Sequence, residues 1–183
     1  MTRFTATFTA TKNNVILIGM PGAGKSTVGV LLAKRLGYDF VDTDLLIQVH
    51  QGEFLQETLD ARGYLELRDI EEQVLLSLDI TRTVVATGGS AVYSNRAMAK
   101  LGDSGVLVYL AAELDELKRR IDDYATRGIA RRPDQNFEDL FAERTKLYSR
   151  HTQITVNAAQ QPDQVVTEIE NALRRQPNQV PVT

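Results

Sequence analysis

Val15-Ile16-Leu17-Ile18-Gly19-Met20-Pro21-Gly22-Ala23-Gly24-Lys25-Ser26-Thr27 is the stretch that decides the fold. Its first four residues form a continuous apolar, largely β-branched run, the composition of a strand buried on both faces of a parallel sheet. From Lys25 the apolar positions change to helical spacing, with Val28, Leu31, Leu32 and Leu36 on one side and Gly37 as the stop. Between strand and helix, Gly19 to Ser26 fits the pattern Gly, four residues, Gly-Lys-Ser. Glycines let the backbone curl until successive N–H groups point inward at an anion, above the partial positive charge of a helix N-terminus. Gly22, Ala23, Gly24, Lys25, Ser26 and Thr27 are therefore expected to cradle the phosphates of ATP. Lys25 would reach the β- and γ-phosphates and the Ser26 hydroxyl would ligate Mg²⁺. The rival reading is an ordinary glycine-rich turn, and the buried strand before it and amphipathic helix after it argue against that.

Outward from this motif, strands and helices alternate. Phe40-Val41 is a short strand, and an Asp42-Thr43-Asp44 turn leads into helical sequence to about His50. Leu67, Ile70, Val74, Leu75 and Leu78 mark the next helix, and Thr83-Val84-Val85-Ala86 the next buried strand, stopped by Gly88-Gly89. A short helix over Arg96 to Leu101 precedes the strand Gly105 to Leu110, and Leu114, Leu117 and Ile121 give another helix. Asp123 to Asn136 is Arg-rich and without periodicity, so it reads as a loop. A helix from Phe137 to Arg150, a strand Ile154-Thr155-Val156 and a last helix opened by Pro162 complete the chain. This alternation, without repeats or a linker, predicts a single α/β domain over 14–175, with helices on both faces of a parallel sheet. Residues 1–13 and 176–183 read as polar tails.

Composition closes off several function classes. The chain has 183 residues, 43% hydrophobic and 25% charged, which is ordinary globular usage and excludes a disordered or fibrous protein. Lys plus Arg number 21 against 24 Asp plus Glu, and a binder of nucleic acid or anionic membrane would carry a basic excess instead. There is no Cys, hence no disulfide, thiolate zinc site or cysteine nucleophile, and only two His. No stretch approaches the roughly 20 apolar residues of a membrane span, and the N-terminus lacks the apolar run of a secretory signal. A cytoplasmic monomer is expected, with neither nucleic acid nor membrane as partner.

A phosphate loop alone does not choose between a motor, a switch and a small-molecule kinase. The strand that would carry a motor's metal-binding carboxylate ends Val85-Ala86-Thr87-Gly88-Gly89, and no Asn-Lys-x-Asp for guanine is present. Asp42 and Asp44 instead follow the second strand, at the carboxyl edge where open α/β sheets bind ligands. Two helices also place charges on apolar faces. Glu71 falls inside the arc of Leu67, Ile70, Val74 and Leu78, with Arg68 at its edge; a surface ion pair three residues apart is the plainer reading, and a buried functional pair the other. Arg144 interrupts the stripe of Phe137, Leu140, Phe141 and Tyr148, so its guanidinium either reaches solvent or meets an anion. A planar fork of donors suits a carboxylate, and two arginines converging on an acidic substrate account for both helices. The cluster Arg127, Arg131 and Arg132 reads as solvated loop charge, one of which could close over transferring phosphates.

Together these residues resemble the shikimate kinase family, small relatives of the nucleoside monophosphate kinases, over about Val15 to Leu173. The phosphate loop is Gly19 to Ser26, the family's Asp-x-Asp is Asp42 and Asp44, and its helical Arg-x-x-Glu is Arg68 and Glu71. Its glycine run is matched by Gly88 and Gly89, its lid Arg-Pro by Arg132-Pro133, and its Arg-x-Pro-Leu-Tyr by Arg144 to Tyr148. The chain departs from the pattern at Tyr64, Leu67 and Ser90, at Asp134-Gln135 after the lid arginine, and in the loop Asn157 to Pro162, which has no arginine for adenine. The resemblance implies a three-layer α/β/α phosphate-loop kinase fold, with a five-stranded parallel sheet and a mobile lid at about 123–136. It implies ATP-dependent phosphorylation of a small hydroxy acid, foremost shikimate, with Lys25, Asp44 and Arg132 catalytic. Asp44, Arg68, Gly88, Gly89 and Arg144 would bind the acceptor, and Ser26 and Asp42 the Mg²⁺. The rivals are a kinase of the same fold for a sugar acid, homoserine or a nucleoside monophosphate, and a non-catalytic ATP-binding regulator.

Overall fold

Strands β1 (Asn14–Ile18), β3 (Thr83–Ala86) and β4 (Gly105–Ala111) are buried almost end to end on both faces, so helices must cover both sides of the sheet they form. The computed structural model describes residues 12–121 and 128–175. Its sheet has five parallel strands in the order β2-β3-β1-β4-β5, with β2 at Asp39–Asp42 and β5 at Ile154–Asn157. Helix α1 (Lys25–Leu36) packs on α7 (Pro162–Arg174), and α3 (Leu55–Ser77) on α4 (Asn95–Ser104). The remaining helices are α2 (Thr43–Gln51), α5 (Leu114–Arg120) and α6 (Phe137–His151). Val15, Ile16, Leu17 and Ile18 are all 0% exposed at the centre of the core. Burying each such side chain is worth about 1.5–3 kcal/mol, which makes β1 the rigid base of the loop that follows it.

The strand order places the loops after β2 and β3 on one side of β1, and those after β4 and β5 on the other. Ligands of such sheets bind at the carboxyl edge where the order reverses, and here that is the end of β1.

Three expectations are corrected. The residues Asp42 to Asp44 are no free turn: the Asp42 carboxylate accepts from the Asp44 N–H at 3.0 Å and caps α2, which starts at Thr43. The helix marked by Leu67 begins earlier, at Leu55, and breaks at Gly63 (φ 82°, ψ 169°). Its first half lacks an apolar stripe, and it packs in a smaller cluster of Ile47, Leu67, Ile70 and Val74 shared with α2. A 3-10 turn over Ala91–Tyr93 follows the glycines, where the sequence carried no periodic signal. Of the loop expected at 123–136, residues 123–127 lie outside the described residues, as do residues 1–11 of the tail expected at 1–13 and the whole tail expected at 176–183.

Candidate active site

Helix α1 begins without a side-chain cap: Gly24, at φ 90°, precedes Lys25, and no acidic residue occupies the first turn. Its first N–H groups are therefore left for an external anion. Gly22 stands at φ 81° directly over Ile121, whose Cγ1 would lie 2.8 Å from any Cβ added there, so only glycine lets the loop close on α5. Within the loop, Lys25 Nζ donates to the carbonyls of Gly19 at 2.9 Å and Met20 at 3.0 Å. Burial pulls its pKa down to about 8, with Asp44 pulling the other way, so the ammonium remains charged at neutral pH.

A cavity of about 750 Å³ spreads from this loop across the sheet edge. Past β1 on the β2/β3 side it is lined by Asp44, Glu71, Gly88, Gly89, Ser90 and Arg144. On the β4/β5 side it is lined by Glu116, Arg120 and the segment from Ala158 to Pro162. Ser26 and Thr27 face it from the start of α1. Two compartments flank the phosphate loop, one polar and charged, the other floored by a short loop.

The charged compartment is set by close packing around the two glycines. The Gly88 N–H donates to the buried Thr43 hydroxyl at 3.0 Å, and Tyr148 donates to the Gly89 carbonyl at 2.7 Å. A Cβ on Gly88 would collide with Glu71 Oε1 and lie 2.7 Å from Asp44 Oδ1, while one on Gly89 would lie 2.7 Å from Arg144 Nη1. The glycines are needed for space, so that three charged groups can crowd one loop.

Burial perturbs both carboxylates. Glu71, buried among apolar residues, has its pKa pushed up to about 7 by burial and then by the Asp44 carboxylate. One of its oxygens accepts from Ser90 Oγ; the other, Oε1, is buried without a partner. Asp44 is pushed up by burial, against the pull of Lys25. Arg144 is 1% exposed, donates to the Ala130 carbonyl at 2.8 Å, interacts with the Tyr93 hydroxyl and forms no ion pair among the described residues. A buried guanidinium without a counter-charge is costly by several kcal/mol and signals a missing anion.

The structure thus gathers Lys25, Asp44, Gly88, Gly89 and Arg144 around one cavity, together with Gly22 to Thr27. Arg68 is close by but does not line it. The plainer alternative, a surface ion pair with Glu71, does not form; the guanidinium lies over the ring of Tyr93 at 3.6 Å and donates to the Ala130 carbonyl at 3.2 Å. Asp42 also stays off the cavity wall, one of its oxygens taken by the helix cap. Arg132, expected among the catalytic residues, is exposed, pairs with Glu143 at 3.0 Å and does not line the cavity. From that part of the chain Gly128, Ile129 and Ala130 line the cavity, Arg131 donates to the Gln135 carbonyl, and Arg127 lies outside the described residues. Sequence reasoning passed over Tyr93, Glu143 and Arg120. The last two sit among surface-like charges, while a tyrosine three residues beyond Ser90 was the one available signal.

Comparison with known proteins agrees with this geometry. A family model described as shikimate kinase matches residues 21–174. A shikimate kinase of Gloeobacter violaceus is 39% identical over 159 residues, 85% of this chain and 89% of that protein. Among solved structures, shikimate kinase from Acinetobacter baumannii in complex with shikimate superposes with a TM-score of 0.83 at 28% identity, covering 91% of this chain and 96% of that one. Shikimate kinase from Aquifex aeolicus gives a TM-score of 0.78 at 31% identity, with 90% and 98% covered. A family model matched over most of the chain, relatives of this identity and a fold shared with these structures place the protein in the shikimate kinase family.

Proposed function

We propose that this protein transfers the γ-phosphoryl group of ATP to a hydroxyl of shikimate, giving shikimate 3-phosphate and ADP. Membership of the family makes it a phosphotransferase acting on an alcohol. The observation that carries the choice of acceptor is Arg144, a buried cation on the cavity wall that forms no ion pair among the described residues. An acidic acceptor supplies that charge; a neutral polyol would leave it unpaired.

ATP would lie with its phosphates on Gly22 to Thr27, its adenine toward Arg120 and Ala158 to Pro162. Asp44 orients the acceptor hydroxyl and takes its proton late, as the new P–O bond forms and the bond to the β-phosphate breaks. Its burial-raised affinity for a proton suits that task. Lys25 neutralises charge on the transferring group. The oxygen donors suit Mg²⁺: Ser26 offers a hydroxyl at the cavity, and Asp42, off the cavity wall with one oxygen in the helix cap, would reach the ion through water. When bound, that ion neutralises the phosphate oxygens. Every residue invoked comes from one chain, so we take the monomer to suffice, and we place the reaction in the cytoplasm, where ATP is supplied. Among the described residues, no helix is long and apolar enough to cross a membrane.

The test is an ATP-coupled assay of the purified protein against shikimate, gluconate, homoserine and nucleoside monophosphates. Turnover with shikimate well above the rest is expected. Preference for a neutral sugar or a nucleotide would overturn the assignment, and ATP binding without transfer to any acceptor would favour a regulator.

A further inference from the structure

Tyr93, at the end of the 3-10 turn after the glycines, lies against both acceptor-side arginines. The Arg68 guanidinium lies over its ring with Cζ 3.6 Å from the centroid, and Arg144 Cζ is 5.4 Å from the same centroid. Its hydroxyl donates to Glu143 Oε1 at 2.6 Å and also interacts with Arg144. The two guanidiniums meet again at the Ala130 carbonyl, to which each donates through Nη2.

Arg68 has little else to hold it. Glu71, one helical turn away, is bonded to Ser90, and Arg68 forms no ion pair among the described residues. Tyr64 is a weaker second ring at 5.1 Å. Both Arg68 Nε and Arg144 Nε are buried without a partner. A carboxylate in place of the ring would neutralise Arg68 and have to be displaced by an incoming anion. An aromatic face holds a guanidinium without neutralising it and leaves its in-plane N–H donors free.

We propose that Tyr93 is a positioning residue for the acceptor carboxylate, its ring holding Arg68 flat and its hydroxyl, anchored on Glu143, setting the spacing of Arg68 from Arg144. The proposal rests on the reading of this compartment as the site of an acidic acceptor. Tyr93 touches no reacting atom; it acts through the two cations.

Two variants separate ring from hydroxyl. Tyr93→Leu removes the platform and is expected to raise the KM for shikimate about tenfold, the scale of a partly desolvated cation–π contact, while kcat and the KM for ATP stay within about twofold. Tyr93→Phe keeps the ring and should stay within about threefold of wild type. An unchanged KM in Tyr93→Leu, or parallel changes in kcat and the KM for ATP, would overturn the proposal. A second measurement needs neither turnover nor the Tyr93 variants. In the ¹⁵N-edited NMR spectrum of the wild-type protein, the Arg68 Nε–H signal, assigned by its loss in Arg68→Lys, should be shifted upfield by the ring current of Tyr93. A signal at the ordinary arginine position would overturn the stacking. Failure of the wild type to phosphorylate shikimate, with the upfield signal present, would instead count against the acceptor assignment while the platform stands.

Discussion

Arg144 is the residue whose surroundings argue most directly for function. A buried cation without a counter-charge destabilises the protein in the absence of ligand, so its removal should separate stability from activity. Arg144→Met is expected to keep or raise the melting temperature of the unliganded protein and to abolish the thermal shift produced by shikimate. A loss of several degrees without ligand would mean that Arg144 is structural. Asp44 gives the complementary case. Asp44→Asn should lower kcat by about 10²-fold or more with the KM for ATP within a few-fold, measured by coupled assay. A collapse of ATP affinity would mean that Asp44, and not Asp42, serves the metal.

The loop between β3 and the 3-10 turn brings acceptor-side groups together because two consecutive residues lack side chains. Gly88→Ala would force its Cβ against Glu71 and Asp44. It is expected to depress shikimate turnover by roughly 10-fold or more, since displacements of about an ångström at a reacting centre matter on that scale, and to leave ATP binding near wild type. Equal turnover would show that the loop gives way freely. At this scale the sequence was most legible where periodicity and burial coincide. The strand Thr83–Ala86 and the helix Lys25–Leu36 were readable residue for residue, because apolar runs and a glycine stop leave few alternatives. The first half of α3 was not, since Leu55 to Arg62 is held by Gly63 and by packing on α2 rather than by a stripe of its own. Within the site, Lys25 was legible from the phosphate-loop pattern, Asp44 from its place after the second strand, and Arg144 as a charge on an apolar stripe. The partners of Arg68 and Arg132 were not, because Tyr93 and Glu143 are distant in sequence and unremarkable in type. Which of two nearby groups a guanidinium chooses is settled by tertiary geometry.

The arrangement of charges across the whole molecule also sets its response to pH. Glu71 binds a proton more tightly when folded, its pKa raised from 4.5 to about 7, so the folded state carries more protons than the unfolded one between those values. Stability therefore falls as pH rises through that window, by an amount on the order of 3 kcal/mol at most. Lys25 acts in the opposite sense at higher pH, since its pKa is lowered to about 8 and stability should recover as pH rises from there toward 10.5. Urea unfolding across pH 4 to 8 is expected to show wild type losing stability relative to Glu71→Gln. Parallel curves for the two proteins would mean that Glu71 is ionised, with a counter-charge, throughout.

The acceptor compartment, the phosphate loop and the buried arginine converge on one claim, that the protein phosphorylates an acid held by a guanidinium that forms no ion pair among the described residues. The measurement that tests it most directly compares shikimate with its carboxamide analogue in wild type and in Arg144→Ala. Wild type should favour the acid in kcat/KM by a factor corresponding to about 2–5 kcal/mol, and Arg144→Ala should lose most of that preference while its KM for ATP is unaltered. Equal use of acid and amide by the wild-type protein would contradict the claim.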